Sequence, residues 1–479
     1  MISKKDFEKI NDYLWEIPKS FRSDMRAPAR VYISEKMLEK VEPDAFKQIA
    51  DVACLPGIVK HSLAMPDIHT GFGYPIGGVG PFSVADGVIS PSGIGYDQNC
   101  GVRLLKSGQT EEEIRPHLET LAHEIHREIP SGVGRGRKVK LNIEQVERIL
   151  KGGVPELVRQ GYGTKEDAEN CEAGGRLEQA DVSKVSDRAK IRGKSQVGTL
   201  GGGNHFCEIQ KVDEILDEET AKVFGLFKNQ AVVMIHTGSR GLGHQNCTDY
   251  LKISERAMSK YGITVPDRQL ACVPLNSPEG QNFFKAMCAG ANYAWCNRHM
   301  ISVYVRKVWK KVMGEDKDLE LLYDVAHNIA KIEEHEVNGK KMKLCIHRKG
   351  ATRAFPPGNP EIPQKYQKVG QPVLIPGSMG TSSYVLVGTE RSKEAFYTVC
   401  HGAGRAMSRR QAMRTISGQE VLKRLKQKGI IIKCLSKREI AEEAPLAYKD
   451  IGNVVEVVQN AGLAKKVAKL KPLAVIKGE

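Results

Sequence analysis

Short apolar, β-branched runs that stop at glycine, histidine or aspartate recur along the chain. They are Ala231 to His236 (AVVMIH), Glu320 to Asn328 (ELLYDVAHN), Gln371 to Gly380 (QPVLIPGSMG) and Ala395 to Arg405 (AFYTVCHGAGR). Runs of this length and make-up predict strands that end in tight loops. Between them the apolar spacing predicts helices over Glu111 to Ile129 and over the long stretch Gln281 to Met313, with another helix beginning at Arg405. The expected class is mixed α/β (α+β). Residues 1–479 read as a single interwoven domain in which strand-end loops converge on one site, since polar side chains at strand ends share an edge. Three polar, glycine- and lysine-rich segments, 131–140, 161–196 and 348–370, read as surface insertions whose arginines could reach phosphates.

Composition narrows the class. At 479 residues and 41% apolar content the chain can bury a large core, and no apolar run is long enough to span a bilayer. The first twenty residues lack a signal-peptide pattern, so the expected location is the cytoplasm. A formal charge of +15 points to a polyanionic partner, while 6% aromatic residues argue for contacts to phosphates over a broad base-stacking platform. Eleven cysteines, an odd number with no C-x-x-C pair, exclude a zinc ribbon and argue against a disulfide framework.

Common nucleotide signatures are absent: there is no G-x-x-x-x-G-K-[ST] loop, no G-x-G-x-x-G and no K-x-D-G lysine. Any nucleotide chemistry therefore needs another nucleophile. His123 and His126 in HEIH have the wrong spacing for a metalloprotease and read as structural. The stronger signal is dispersed. Asp97 and Cys100 sit three apart in SGIGYDQNCG, His205 lies in GTLGGGNHF, His236 in VVMIHTGSRGLGH and His327 in LYDVAHN. One carboxylate, one thiolate and three imidazoles can hold two divalent ions that share the sulfur. That donor set leaves manganese, cobalt and zinc open. The loop Gly238 to Gly243 with Arg240 is either a plain turn or an anion site.

These residues fall within motifs that carry a family resemblance. MPDIHTGFGYPIGG (65–78), GIGYDQNCGVR (93–103), GTLGGGNHF (198–206), HTGSRGLGH (236–244), YDVAHN (323–328), PGSMGTSSYVL (376–386), CHGAGRAMSR (400–409) and VIKG (475–478) occur in order along nearly the whole chain. The sequence thereby resembles the RtcB family of RNA-splicing ligases. The resemblance implies two Mn²⁺ ions bridged by Cys100, one completed by Asp97 and His205 and the other by His236 and His327. It implies that His401 is guanylylated by GTP, and that Asn204 and Asn328 hold phosphate oxygens. Glu208, Ser383, Tyr448 and Lys477 would surround guanine. Phe206 and the loops Pro376, Gly377, Ser378, Met379 and His401, Gly402, Ala403, Gly404 would line the nucleotide. Glu479 extends past the family's usual terminal Lys-Gly. His69 is a candidate for the RNA end or for a loop contact.

The implied reaction joins an RNA 3′-phosphate or 2′,3′-cyclic phosphate to a 5′-hydroxyl, in tRNA splicing or RNA repair. A 3′-phosphate repels nucleophiles and has no good leaving group, so covalent activation splits one hard step into easier ones. The implied partners are RNA and GTP; an activator of the archease type is a candidate partner, and a monomer without a membrane span is expected. Two rival readings are a metal-dependent RNA phosphodiesterase or nuclease, which leaves His401 and Lys477 unexplained, and a non-catalytic RNA-binding protein, which leaves the ligand cluster unexplained.

Overall fold

The computed structural model describes residues 2–434 and 436–478, so Glu479 lies outside the described residues. The architecture is mixed α/β, with two large sheets. One has seven strands in the order Glu8–Asn11, Leu14–Ile17, Ala29–Tyr32, Ser62–His69, Ile76–Ser83, Lys340–Lys349 and Asn328–Val337. The other runs Leu319–Ala326, Gly101–Thr110, Gln230–Thr237, Phe206–Ile215, Ala464–Lys477, Ser383–Gly388 and Pro372–Ile375, with Ile431–Lys433 added in parallel to the C-terminal strand. This second sheet curls until its two edge strands approach each other. His327 is the single residue between Leu319–Ala326 of one sheet and Asn328–Val337 of the other.

The apolar run at Ala231 to His236 becomes the strand Gln230–Thr237, buried at every position because both faces of the sheet are covered. The helix expected over Gln281 to Met313 is observed as Pro278–Met313, capped by Ser277 Oγ accepting from the Gly280 N–H at 3.0 Å, with Pro278 at its first turn. At 36 residues it spans about 54 Å. It is buried all round from Ala286 to Ser302, so apolar residues lie on every face and its polar ones, among them Asn292, Asn297 and Arg298, are hydrogen-bonded inside. The helix expected over Glu111 to Ile129 is broken into Glu111–Ile114, one 3-10 turn at Arg115–His117, and Leu118–Glu128, because Pro116 cannot donate within the ladder. The helix expected from Arg405 begins instead at Arg409, where Ser408 Oγ accepts from the Gln411 N–H.

Of the three segments read as insertions, 131–140 lies at the surface, with Val133 and Val139 more than 80% exposed. The other two mix exposed positions with buried anchors. In 161–196, Glu172 is fully buried and accepts from the Ala326 N–H at 2.9 Å and from Lys331 Nζ at 2.6 Å. In 348–370, Arg348 and Arg353 are fully buried against Glu333, Glu172 and Glu361, and Ala351–Arg353 pairs with Thr398–Cys400; exposure begins at Pro357. Charge made these stretches look solvated, whereas ion pairing lets that charge sit inside. No helix among the described residues is long and apolar enough to cross a membrane.

Candidate active site at the strand ends

Register brings the site together. Lys477 pairs with Phe206, Phe206 with His236, His236 with Val102, and Val102 with Val325, in one row across five strands. The residues that end or precede those strands, Cys100, His205, His236 and His327, therefore meet at one edge. Cys100 Sγ lies 3.3 Å from both His205 Nε2 and His236 Nε2, and His236 Nε2 lies 3.3 Å from His327 Nε2. Asp97 Oδ2 is 2.9 Å from His205 Nε2. The loop that carries Cys100 turns through Asn99 at a φ of 50°, and is clamped by the Asn99 N–H on Asn328 O (2.6 Å) and the His327 N–H on Cys100 O (2.9 Å). Gly238 has to lack a side chain, since a Cβ there would sit 2.4 Å from Asp97 Oδ1.

The electrostatics suit cations. Burial, then the neighbouring histidines, hold His236 and His327 well below the ordinary histidine pKa, so both are neutral imidazoles. Burial, then Asp97, pushes the Cys100 thiol well above its usual range. Only an adjacent positive charge would make it a thiolate at neutral pH. For Asp97, burial pushes upward, but His205 and Arg240 outweigh it and hold the carboxyl low. The fit to metal rests on the donors themselves: a carboxylate, a sulfur and three imidazole nitrogens meet at 2.9–3.3 Å in a buried pocket. The His327 Nδ1 atom is also buried without a hydrogen-bond partner. Cys100, His205 and His236 offer three ligand atoms all within 4.8 Å of one another. Asp97 and His327 extend that cluster on either side.

Beside it stands His401, just past the short strand Thr398–Cys400, its ring centre 5.0 Å from that of His327. Its Nδ1 lies 2.6 Å from Asp67 Oδ2, and the same oxygen accepts from the backbone N–H groups of His401 (2.9 Å) and Gly402 (3.4 Å). An acceptor at Nδ1 assigns the proton to that nitrogen and leaves Nε2 as the free lone pair. Asp67 is fully buried; burial raises its pKa, yet the His401 contacts outweigh this and keep it low. Sequence reasoning missed Asp67, although it lies in the MPDIHTGFG motif two residues before His69.

The cavity over these groups is lined by Asp97, Cys100, Asn204, Phe206, Glu208, His236, His327, Asn328, Pro376 to Met379, His401 to Gly404, Tyr448 and Lys477. Most of the expected nucleotide residues thus line one cavity. His205 and Ser383 do not; the Ser383 Oγ accepts from the Gly377 N–H at 3.1 Å and so shapes a loop that does. The Asn328 side chain is occupied too, donating to Asp97 O and accepting from the Gly350 N–H. Burial raises Glu208 to about 7 against the pull of Gln210 and Lys477. His69, a candidate for the RNA end or a loop contact, lines the cavity too, as do Arg405, Arg409 and Glu443, which went unassigned in sequence. Glu443 receives Arg405 at 3.2 Å, Arg409 at 3.3 Å and the Tyr448 hydroxyl, so it organises that end of the wall. Arg240 opens the helix Arg240–Ala257 and donates to Thr199 Oγ1 and Gly132 O, stitching loops together.

A strand-edge cluster of metal-ligand side chains, next to a histidine backed by a buried carboxylate at a cavity wall, is the build of a metal-dependent enzyme. The family model for tRNA-splicing ligase RtcB matches residues 48–478. A protein of Archaeoglobus fulgidus with that name is 53% identical over 475 residues, covering 98% of each chain. Another with the same name from Thermococcus kodakarensis is 52% identical over 483 residues, covering 100% of this chain and 99% of its own. The chain belongs to the RtcB family.

Proposed function

We propose that this RNA ligase joins RNA ends bearing a 3′-phosphate or 2′,3′-cyclic phosphate to 5′-hydroxyl ends, consuming GTP and using two manganese ions, in tRNA splicing or RNA repair. The observation that carries the reading is the Asp67–His401 pair: with Nδ1 protonated and held, Nε2 is a nucleophile presented on the cavity wall. Asp97, Cys100, His205, His236 and His327 would hold the ions. When bound, these neutralise phosphoryl oxygens and align the reacting groups.

His401 Nε2 attacks the α-phosphorus of GTP; the N–P bond forms, the P–O bond to pyrophosphate breaks, and Asp67 stabilises the cationic ring as it develops. GMP then passes to an oxygen of the RNA 3′-phosphate, restoring the neutral imidazole. Finally the 5′-hydroxyl attacks that phosphorus, its proton is lost, and GMP leaves. Glu208, Tyr448 and Lys477 line the same cavity and offer the acceptor and donors that would suit a purine's edges. The backbone of the Pro376–Met379 and His401–Gly404 loops follows the rest of the nucleotide.

The test is incubation with GTP labelled in the α-phosphate and manganese, without RNA. A covalent label that is acid-labile, alkali-stable and absent from His401→Ala supports the reading. A nuclease would take up no label, and a label retained in His401→Ala would refute it.

A further inference from the structure

Lys449 is half-buried, follows the cavity residue Tyr448, and has no assigned role. Its ammonium donates to the carbonyls of Pro66 (3.4 Å) and Ile68, the two residues that flank Asp67. Its backbone N–H donates to Gly404 O at 2.9 Å, the end of the loop that begins at His401. Gly404 in turn is pressed on the same strand, since a Cβ there would lie 2.1 Å from Asp67 O. The register of Ser62–His69 against its neighbour Ile76–Ser83 shifts between Ala64 and His69, so this stretch is not fixed by regular pairing. Lys449 thus helps the Asp67 carboxylate tie this strand to the His401 loop where regular strand pairing does not.

Charge adds to the geometry. Asp67 Oδ1 is buried without a hydrogen-bond partner. The ammonium next to it lowers the cost of keeping that carboxylate ionised. Burial pulls Lys449 down to about 8, with Asp67 and Glu42 pulling it back up, which leaves it largely cationic at neutral pH.

We propose that Lys449 is a positioning residue for the nucleophile: it fixes the backbone on both sides of Asp67, and through that carboxylate holds His401 in the orientation and tautomer that attack GTP. This rests on the reading of His401 as the guanylylated residue. It separates the first step from the last, because joining an RNA whose 3′-phosphate already carries GMP does not use the histidine as nucleophile.

The experiment uses full-length Lys449→Met and Lys449→Gln, each checked for melting temperature and bound manganese. The rate of covalent labelling by GTP should fall about 30- to 100-fold, as small misplacements of reacting groups do. Metal content and the joining of pre-activated RNA should stay at wild-type levels. In an Asp67→Asn background, Lys449→Met should cost less than about threefold more, because residues acting through one group are not additive. Wild-type labelling in either folded variant overturns the inference. So does an equal loss in labelling and in the joining of pre-activated RNA, or full additivity with Asp67→Asn, each of which would make Lys449 a general prop. A wild-type protein that takes no label would instead refute the His401 reading, and this inference with it.

Discussion

Replacing Asp67 by asparagine tests the nucleophile at the smallest possible change of shape. All three donors converge on Oδ2, at 2.6, 2.9 and 3.4 Å, while Oδ1 has no hydrogen-bond partner. An asparagine with its oxygen in the Oδ2 place keeps the three contacts, and its NH₂ takes the place of an oxygen that has no hydrogen-bond partner. What is lost is the charge. A charge-assisted hydrogen bond is about twice as strong as a neutral one, so the ground-state orientation weakens by ~1 kcal/mol. A fully formed imidazolium about 4 Å from a carboxylate gains roughly 4 kcal/mol at an effective dielectric of 20, and a transition state with half that charge gains about 2. Together some 3 kcal/mol of barrier corresponds to a drop of roughly 10²-fold in labelling rate. The orphaned NH₂ is present throughout the reaction, so its ~1–3 kcal/mol acts on stability and not on rate. The assay is the initial rate of covalent GMP incorporation at saturating GTP, with bound manganese measured alongside. A fall of less than tenfold, with metal and fold intact, would mean that Asp67 does not stabilise the attacking ring.

Cys100→Ala should lose both ions together and with them labelling and ligation, because the sulfur touches ligands on both sides; full manganese occupancy in the folded variant would contradict a bridging thiolate. Arg298→Met should destabilise the protein by about 1–3 kcal/mol in denaturant unfolding, the usual cost of buried acceptors left unsatisfied, since Asn99 O and Thr237 O would lose the guanidinium donor while Arg103 still holds Asp324. GTP affinity should improve as pH rises through about 7, because Glu208 is raised to about that value and can accept guanine N–H groups at both of its oxygens only when ionised. The same shift makes the folded state bind more protons than the unfolded one between about 4.5 and 7, so Glu208 costs stability as pH rises through that window. Glu208→Gln should flatten both profiles, and an unchanged pH dependence of the GTP KM would exclude Glu208 as the titrating group.

Much of the site was legible in sequence because its members are residue types whose chemistry is local. Histidines and a cysteine at strand ends, next to glycines, signal ligands whatever the fold, and strand register then places them on one edge. The residues that went unread are those whose role exists only through a distant partner. Asp67 becomes meaningful 334 positions away, at His401. Asn297 accepts from the N–H groups of Gly198 and Thr199 and donates to Gly238 O, yet in sequence it is one polar residue within an apolar helix. Arg348 and Arg353 looked like solvated charge because their carboxylates, Glu333, Glu172 and Glu361, come from other segments.

The long helix connects this hidden charge to the chemistry. Arg298 Nη1 donates to Asn99 O at 2.7 Å and to Thr237 O at 2.9 Å, the residues adjoining Cys100 and His236. Its other nitrogens meet Asp324, which Arg103 also holds at 2.7 Å. Two guanidiniums on one carboxylate leave a net positive charge beneath the cysteine, and Arg298 pulls the Cys100 thiol toward ionisation against burial and Asp97. A neutral residue at 298 could pack in the helix, but it could neither fix both ligand loops nor favour the thiolate. The buried cation therefore favours the thiolate from the protein interior without outweighing burial. That is one reason why the buried stretch of this helix carries an arginine, alongside Asn292, Asn297 and His299.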